Sequence, residues 1–117
     1  MANIPMSEIR LICHPSTPPL KTEHVDVEIR TAGNGRLFAR YVVECDTSML
    51  LLPEPFAPVR SDRLWQTTCF ELFIKQADSD RYFEYNFSPS TEWALYRFSD
   101  YRKGMAEEMV RRPRITC

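Results

Sequence analysis

The chain has 117 residues, 44% of them hydrophobic, 26% charged and 12% aromatic, and its 15 basic and 16 acidic side chains leave a net charge of −1. That is length and apolar content for one small domain with a core, and too little for two. Plentiful aromatics with a small net charge exclude disorder, the near-neutral balance excludes a domain-wide nucleic-acid footprint, and no run approaches the roughly 18 apolar residues of a membrane helix.

Near the N-terminus, Glu8 and polar breaks within residues 1–10 do not read as a secretory signal. The four cysteines, at positions 13, 45, 69 and 117, are too far apart for the close pairs of a zinc site. Together these predict a cytoplasmic protein with reduced thiols, no cofactor and no metal, two disulfides being the alternative for a chain secreted by another route. Cys69 lies in an apolar-rich segment and is read as a packing residue. The loop carboxylates Asp46, Asp62, Asp78 and Asp80 follow no calcium-loop spacing. Five basic residues after position 100 (Arg102, Lys103, Arg111, Arg112 and Arg114) read as a solvated tail.

Period-two alternation dominates the chain, and helical periodicity is nearly absent. Residues 9–13 predict a short first strand, stopped by His14-Pro15 and Pro18-Pro19. Val25, Val27 and Ile29 alternate with Asp26, Glu28 and Arg30, then Gly33-Asn34-Gly35 marks a tight turn and residues 36–46 a returning strand. Residues 47–63 hold Pro53, Pro55 and Pro58 and read as a long loop, because proline lacks the N–H a ladder needs.

The informative block is 64–98. Strands over 68–75 and 82–88, joined by a turn centred on Asp78-Ser79, match apolar faces when Phe70 meets Phe87, Leu72 meets Tyr85 and Ile74 meets Phe83. A third strand over 93–98, joined through Ser88-Pro89-Ser90-Thr91, is predicted to place Phe87 opposite Ala94, Tyr85 beside Tyr96 and Phe83 beside Phe98. That register also sets Glu84 against Arg97, an opposite-charge pair that would lower the carboxyl pKa. The apolar face then needs a second sheet over it, and the hairpin before residue 47 is the candidate. The expected fold is an all-β, antiparallel β-sandwich of about six strands.

The other face of this sheet collects Glu71, Phe73, Glu84, Asn86, Ser88, Trp93 and Arg97, with Trp65 just ahead of it. Planar polar groups beside indoles suit a sugar, whose hydroxyls take paired hydrogen bonds and whose C–H faces stack on rings. The plainer reading of the same residues is a solvated outer face.

The block Leu64-Trp65-Gln66-Thr67-Thr68-Cys69-Phe70-Glu71-Leu72-Phe73, followed by Tyr82-Phe83-Glu84-Tyr85-Asn86-Phe87-Ser88-Pro89-Ser90, resembles the signature strands of the DOMON-like, family 9 carbohydrate-binding-module proteins. Trp93-Ala94-Leu95-Tyr96-Arg97-Phe98, Tyr101-Arg102-Lys103-Gly104-Met105 and the early Leu11-Ile12-Cys13-His14-Pro15 extend the resemblance over most of the chain. It implies a jelly-roll-like sandwich and a non-catalytic module for a mono- or oligosaccharide. In sugar-binding members a tryptophan six residues before a glutamate touches ligand, and Trp65 and Glu71 have that spacing. The resemblance carries over Trp65 and Glu71, and with the mixed face it gives an expected ligand site of Trp65, Glu71, Asn86, Trp93 and Arg97. It also implies a single domain over 1–117 that lacks a C-terminal part, leaving strand edges on which a homodimer can form; charge balance and composition give neither nucleic acid nor membrane as partner.

Three other readings compete. Glu71 and Glu84 on one face suggest a carboxylate pair for glycoside hydrolysis. His14 and Met105 suggest axial haem ligands, against which stand a turn-capping His14 and a Met105 packed on the sheet. A purely structural, assembly role is the last.

Overall fold

The computed structural model describes residues 6–16, 23–31, 35–75, 77–100, 104–107 and 113–117. The turn centred on Gly33-Asn34, the Pro18-Pro19 stop and the basic positions Arg102, Lys103, Arg111 and Arg112 lie outside the described residues. The fold is all-β and antiparallel. Strands β1 (Met6–Arg10), β2 (His24–Thr31) and β3 (Leu37–Glu44) form one sheet in that order. Strands β4 (Phe70–Lys75), β5 (Tyr82–Phe87), β6 (Trp93–Phe98) and the two-residue β7 (Ala106–Glu107) form the other, also in chain order. Two 3₁₀ turns, Thr47–Met49 and Leu64–Gln66, punctuate the connection. No helix among the described residues is long and apolar enough to cross a membrane. The chain divides into two compact units, Met1–Met49 and Leu50–Cys117, each holding one sheet.

In the first unit, period-two alternation separates two faces. Ile9, Val27 and Tyr41 stand in one cross-strand row and Ser7, Ile29 and Ala39 in the next, with Val27 buried at the centre. The opposite face is charged. Arg10 donates from Nε and Nη2 to both oxygens of Asp26, at 2.8 and 3.1 Å. His24 Nε2 lies 2.5 Å from a Glu44 carboxylate oxygen, and Arg30 pairs with Glu28 while its guanidinium lies 5.5 Å from the Phe38 ring centre. A shallow depression there is lined by Glu8, Arg10, Asp26, Glu28, Arg40 and Val42. The first strand starts earlier than expected, at Met6, because the alternation through Ser7, Glu8, Ile9 and Arg10 already fits β2. Past Arg10 the pairing fades after one bond, from Leu11 N–H to the Val25 carbonyl at 2.9 Å.

In the second unit the register of β4 on β5 is the one read from the sequence: Phe70 opposite Phe87, Leu72 opposite Tyr85, Ile74 opposite Phe83. The register of β5 on β6 differs from expectation by one residue. Phe87 faces Trp93, Asn86 faces Ala94, Tyr85 faces Leu95, Glu84 faces Tyr96, Phe83 faces Arg97 and Tyr82 faces Phe98.

The cause is the turn. Thr91 N–H donates to the Ser88 carbonyl at 3.0 Å, Ser88 N–H donates to the Glu92 carbonyl at 3.0 Å, and Thr91 has φ 80. Pro89, Ser90 and Thr91 therefore form a three-residue loop whose last member is left-handed, one of the standard hairpin closures. A four-residue connection would have carried β6 one position further. Proline at the second position of the turn suits its fixed φ, whereas a β-branched residue at positive φ is strained. Tertiary bonds hold it: Thr91 Oγ1 donates to the Phe56 carbonyl at 3.0 Å, and Phe56 N–H donates to the Ser90 carbonyl at 2.9 Å.

The same slip decides every face of β6. Trp93 and Leu95, at 5% and 1% exposure, join Phe70, Leu72, Tyr85 and Phe87 on the apolar face. Ala94, Tyr96 and Phe98, expected on that face, lie on the other. The proline-rich loop is laced along β6 through Trp93 N–H to the Val59 carbonyl (3.2 Å) and Ser61 N–H to the Trp93 carbonyl (2.9 Å).

Candidate functional site

The mixed face of the second sheet reads across its strands in four rows. Cys69, Ser88 and Glu92 lie just beyond the paired strand ends. Glu71, Asn86 and Ala94 follow, then Phe73, Glu84 and Tyr96, then Lys75, Tyr82 and Phe98. The last row is an aromatic shelf: the Tyr82 and Phe98 rings stack at 4.7 Å, and Phe73 tilts against Tyr82 at 6.1 Å.

The first row ends at a hydroxyl chain. Ser90 Oγ lies 2.8 Å from both Ser88 Oγ and Glu92 Oε1. One hydroxyl has one hydrogen, and the ionised carboxylate only accepts, so Ser90 donates to Glu92 and accepts from Ser88. Backbone N–H groups of Ser90 and Glu92 close the chain at 3.1 and 3.2 Å. With Ser88 and Ser90 almost fully buried, this network pins the turn that sets the β6 register.

Leu64, in the second 3₁₀ turn, is buried with Ala94 and Tyr96, and Cys69 and Phe98 pack against that cluster. The turn is thereby anchored to the mixed face, and its next residue, Trp65, is 66% exposed. Arg63, at φ 62, makes the sharp entry into the turn. Just upstream, Arg60 lies with its guanidinium carbon 5.3 Å from the Tyr96 ring centre and Nη1 3.2 Å from Asp62 Oδ1, while the Tyr96 hydroxyl donates to the same oxygen at 2.5 Å. Burial and the Asp62 carboxylate push the Tyr96 phenol up to about 12; the Tyr96 hydrogen bond, with Arg60 adding to it, holds the Asp62 carboxyl below the usual range.

The electrostatics of Glu84 reverse the expectation. Arg97 faces Phe83 on the opposite side of the sheet, so it does not stand across from Glu84. Partial burial and the nearby Glu71 charge raise the Glu84 carboxyl, with a hydrogen bond from Asn86 opposing them. Cys69 is pushed up to about 11, chiefly by burial and next by Glu71. It is a thiol at neutral pH, in keeping with a packing role rather than a nucleophilic one.

Of the five residues assigned to the ligand site, the structure brings Glu71 and Asn86 directly opposite each other on adjacent strands and sets exposed Trp65 on the turn packed against their face. Trp93 and Arg97 are corrected: the one-residue register shift turns both to the opposite face, where Trp93 is 5% exposed. Arg60, Asp62 and Tyr96 are the residues that sequence reasoning missed. The first two sit in a loop with no periodicity to place them, and the four-residue connection expected after Phe87 puts Tyr96 on the apolar face instead.

Elsewhere, His14 caps its own turn, with Nδ1 accepting from Ser16 N–H at 3.2 Å and lying 2.7 Å from Ser16 Oγ. Met105 is 60% exposed rather than packed on the sheet. Asp46 likewise serves a turn, its Oδ1 accepting from Ser48 N–H at 3.0 Å and Oγ at 2.7 Å. Neither protein-family models nor curated proteins nor solved structures match the chain.

Proposed function

We propose that the chain is a non-catalytic saccharide-binding module whose ligand lies on the mixed face of β4–β6. The observation that carries this reading is the juxtaposition of Glu71 with Asn86 on the face where the Trp65 turn packs. Asn86 is 4% exposed and its Oδ1 has no hydrogen-bond partner among the described residues. A buried acceptor of that kind needs a donor, which a sugar hydroxyl supplies. A carboxylate beside it takes a second hydroxyl, and an exposed indole stacks on the ring face. The resemblance of residues 64–73 and 82–90 to DOMON-like and family 9 carbohydrate-binding modules supports the same reading.

The test is a glycan panel titrated against tryptophan fluorescence. Trp93 is buried on the far face, so a Trp93→Phe variant leaves Trp65 as the sole reporter. Saturable quenching should persist in that variant and be lost in Asn86→Ala. Absence of quenching with every glycan at millimolar concentration overturns the proposal.

One observation favours a second reading, a glycosidase. Glu84 holds its proton more tightly than an ordinary carboxyl and lies diagonal to Glu71. Diagonal cross-strand neighbours sit roughly 7–8 Å apart at the backbone, a spacing from which two glutamate side chains can reach the roughly 6.5–9.5 Å carboxyl separation used for inversion. Release of aryl alcohol from aryl glycosides, abolished by Glu84→Gln, would replace the binding module with an enzyme.

A further inference from the structure

β4 is the outermost strand of its sheet, paired with β5 on one side and with no other strand among the described residues. Glu71, Phe73, Ile74 and Lys75 are all exposed, Phe73 at 55% and Ile74 at 39%. Natural edge strands are usually protected by proline, a bulge, charged side chains (lysine especially) or a covering segment, and of these β4 carries the two charges Glu71 and Lys75. β4 has no proline, and it pairs with β5 residue by residue without a bulge. Its sequence is instead chemically symmetric about Phe73: Glu71-Leu72-Phe73-Ile74-Lys75.

We propose that two copies of this chain pair through β4, antiparallel, with the twofold axis passing at Phe73. The register follows from geometry. A twofold axis perpendicular to a sheet keeps each copy's faces on the same side, so only residues of equal parity can meet. With the axis at Phe73, Glu71 meets Lys75 of the second copy, Lys75 meets its Glu71, and the two Phe73 rings meet each other on the mixed face. Leu72 and Ile74 meet reciprocally on the apolar face. Shifting the axis to Leu72 or Ile74 sets one charge against an aromatic ring and leaves the other without its counterpart. Shifting it to Glu71 or Lys75 brings like charges together, which is unfavourable. One register alone satisfies both faces, and the second copy is the occupant because no other strand is guaranteed to carry this reversed complement. Pairing joins the two four-stranded sheets into one and extends the backbone ladder across residues 71–75 of both copies. This inference goes beyond the saccharide reading and stands without it.

Sedimentation velocity on the full chain across the micromolar range should show a reversible dimer. Glu71→Lys and Lys75→Glu each turn two attractions into two repulsions and should weaken it about tenfold or more. An equimolar mixture of the two variants restores both opposite-charge pairs and should yield a heterodimer about tenfold tighter than either homodimer. The double swap Glu71→Lys/Lys75→Glu should return the wild-type constant within about threefold. On the wild-type chain, hydrogen exchange at β4 amides should slow as protein concentration rises. A wild-type chain that stays monomeric throughout overturns the proposal. So does a dimer indifferent to either single reversal, a mixture without heterodimer, or β4 exchange independent of concentration.

Discussion

Glu84 shows how a side chain's neighbours, rather than its identity, set its chemistry. With Arg97 on the other face, burial and Glu71 keep the Glu84 carboxyl above its ordinary range. A carboxyl raised by folding is a liability when ionised: the folded chain takes up its proton more readily, so this group adds stability as pH falls through its folded pKa toward the unfolded value. Asp26, Asp46 and Asp62 act in the opposite sense. The Arg10 guanidinium, the Ser48 hydroxyl and the Tyr96 hydroxyl respectively hold their carboxyls low. Their stabilisation is present above the usual carboxylate range and is lost on acidification. Comparing wild type with Glu84→Gln cancels those three terms. The glutamine keeps an acceptor for Asn86 and removes the charge. Urea denaturation should find Glu84→Gln the more stable at neutral pH, with the gap narrowing on acidification and closing below the ordinary glutamate value of about 4.3. A gap of opposite sign at neutral pH would mean that Glu84 is better served in the fold than its surroundings indicate.

At the scale of the element, the β5–β6 hairpin turns on one residue. Thr91 is held at positive φ by its own hydroxyl on the Phe56 carbonyl and by the turn bond to Ser88. Thr91→Val keeps the strain and removes the hydroxyl, and should cost about 1–2 kcal/mol. Thr91→Gly loses the same bond but relieves the backbone and should be close to neutral. Equal losses in thermal unfolding for the two variants would show that the left-handed residue is not what holds the turn. The contrast with β4–β5 explains what could be read beforehand. In β4 and β5 the polar residues Glu71, Glu84 and Asn86 mark one parity, so a single register agrees with both strands. In β6, Trp-Ala-Leu-Tyr-Arg-Phe is apolar on both parities apart from Arg97. Its facing depends on the loop length, and hence on a backbone angle. That one angle removed Trp93 and Arg97 from the candidate site and supplied Tyr96.

Across the whole molecule, two sheets with edges and interiors predict a graded stability. β2 and β5 are each paired on both sides along their length, whereas β1, β3 and β4 are outer strands. Amides of β2 and β5 should therefore exchange slowest within their own sheets, read by hydrogen-exchange mass spectrometry at low protein concentration. Faster exchange in β5 than in β4 would contradict the strand order. The two units need not share one protection limit, since each has its own sheet and its own buried residues.

Alternation of apolar and polar residues, with turn residues between the runs, was enough by itself to establish an all-β antiparallel chain, the β2–β3 hairpin and the β4–β5 register. It was enough because a strand's period of two is written residue by residue, and a slip there would bury charge. The same information placed Glu71 and Asn86 side by side. Only the tertiary structure decided the facing of β6, the raised carboxyl of Glu84 and the set formed by Arg60, Asp62 and Tyr96. Each of these depends on contacts between segments distant in the chain: a strained threonine tied to Phe56, a partly buried carboxylate near a second one, and a loop cation resting over a ring. Such contacts leave no periodic trace in the sequence, because they follow from where strands end rather than from what they contain.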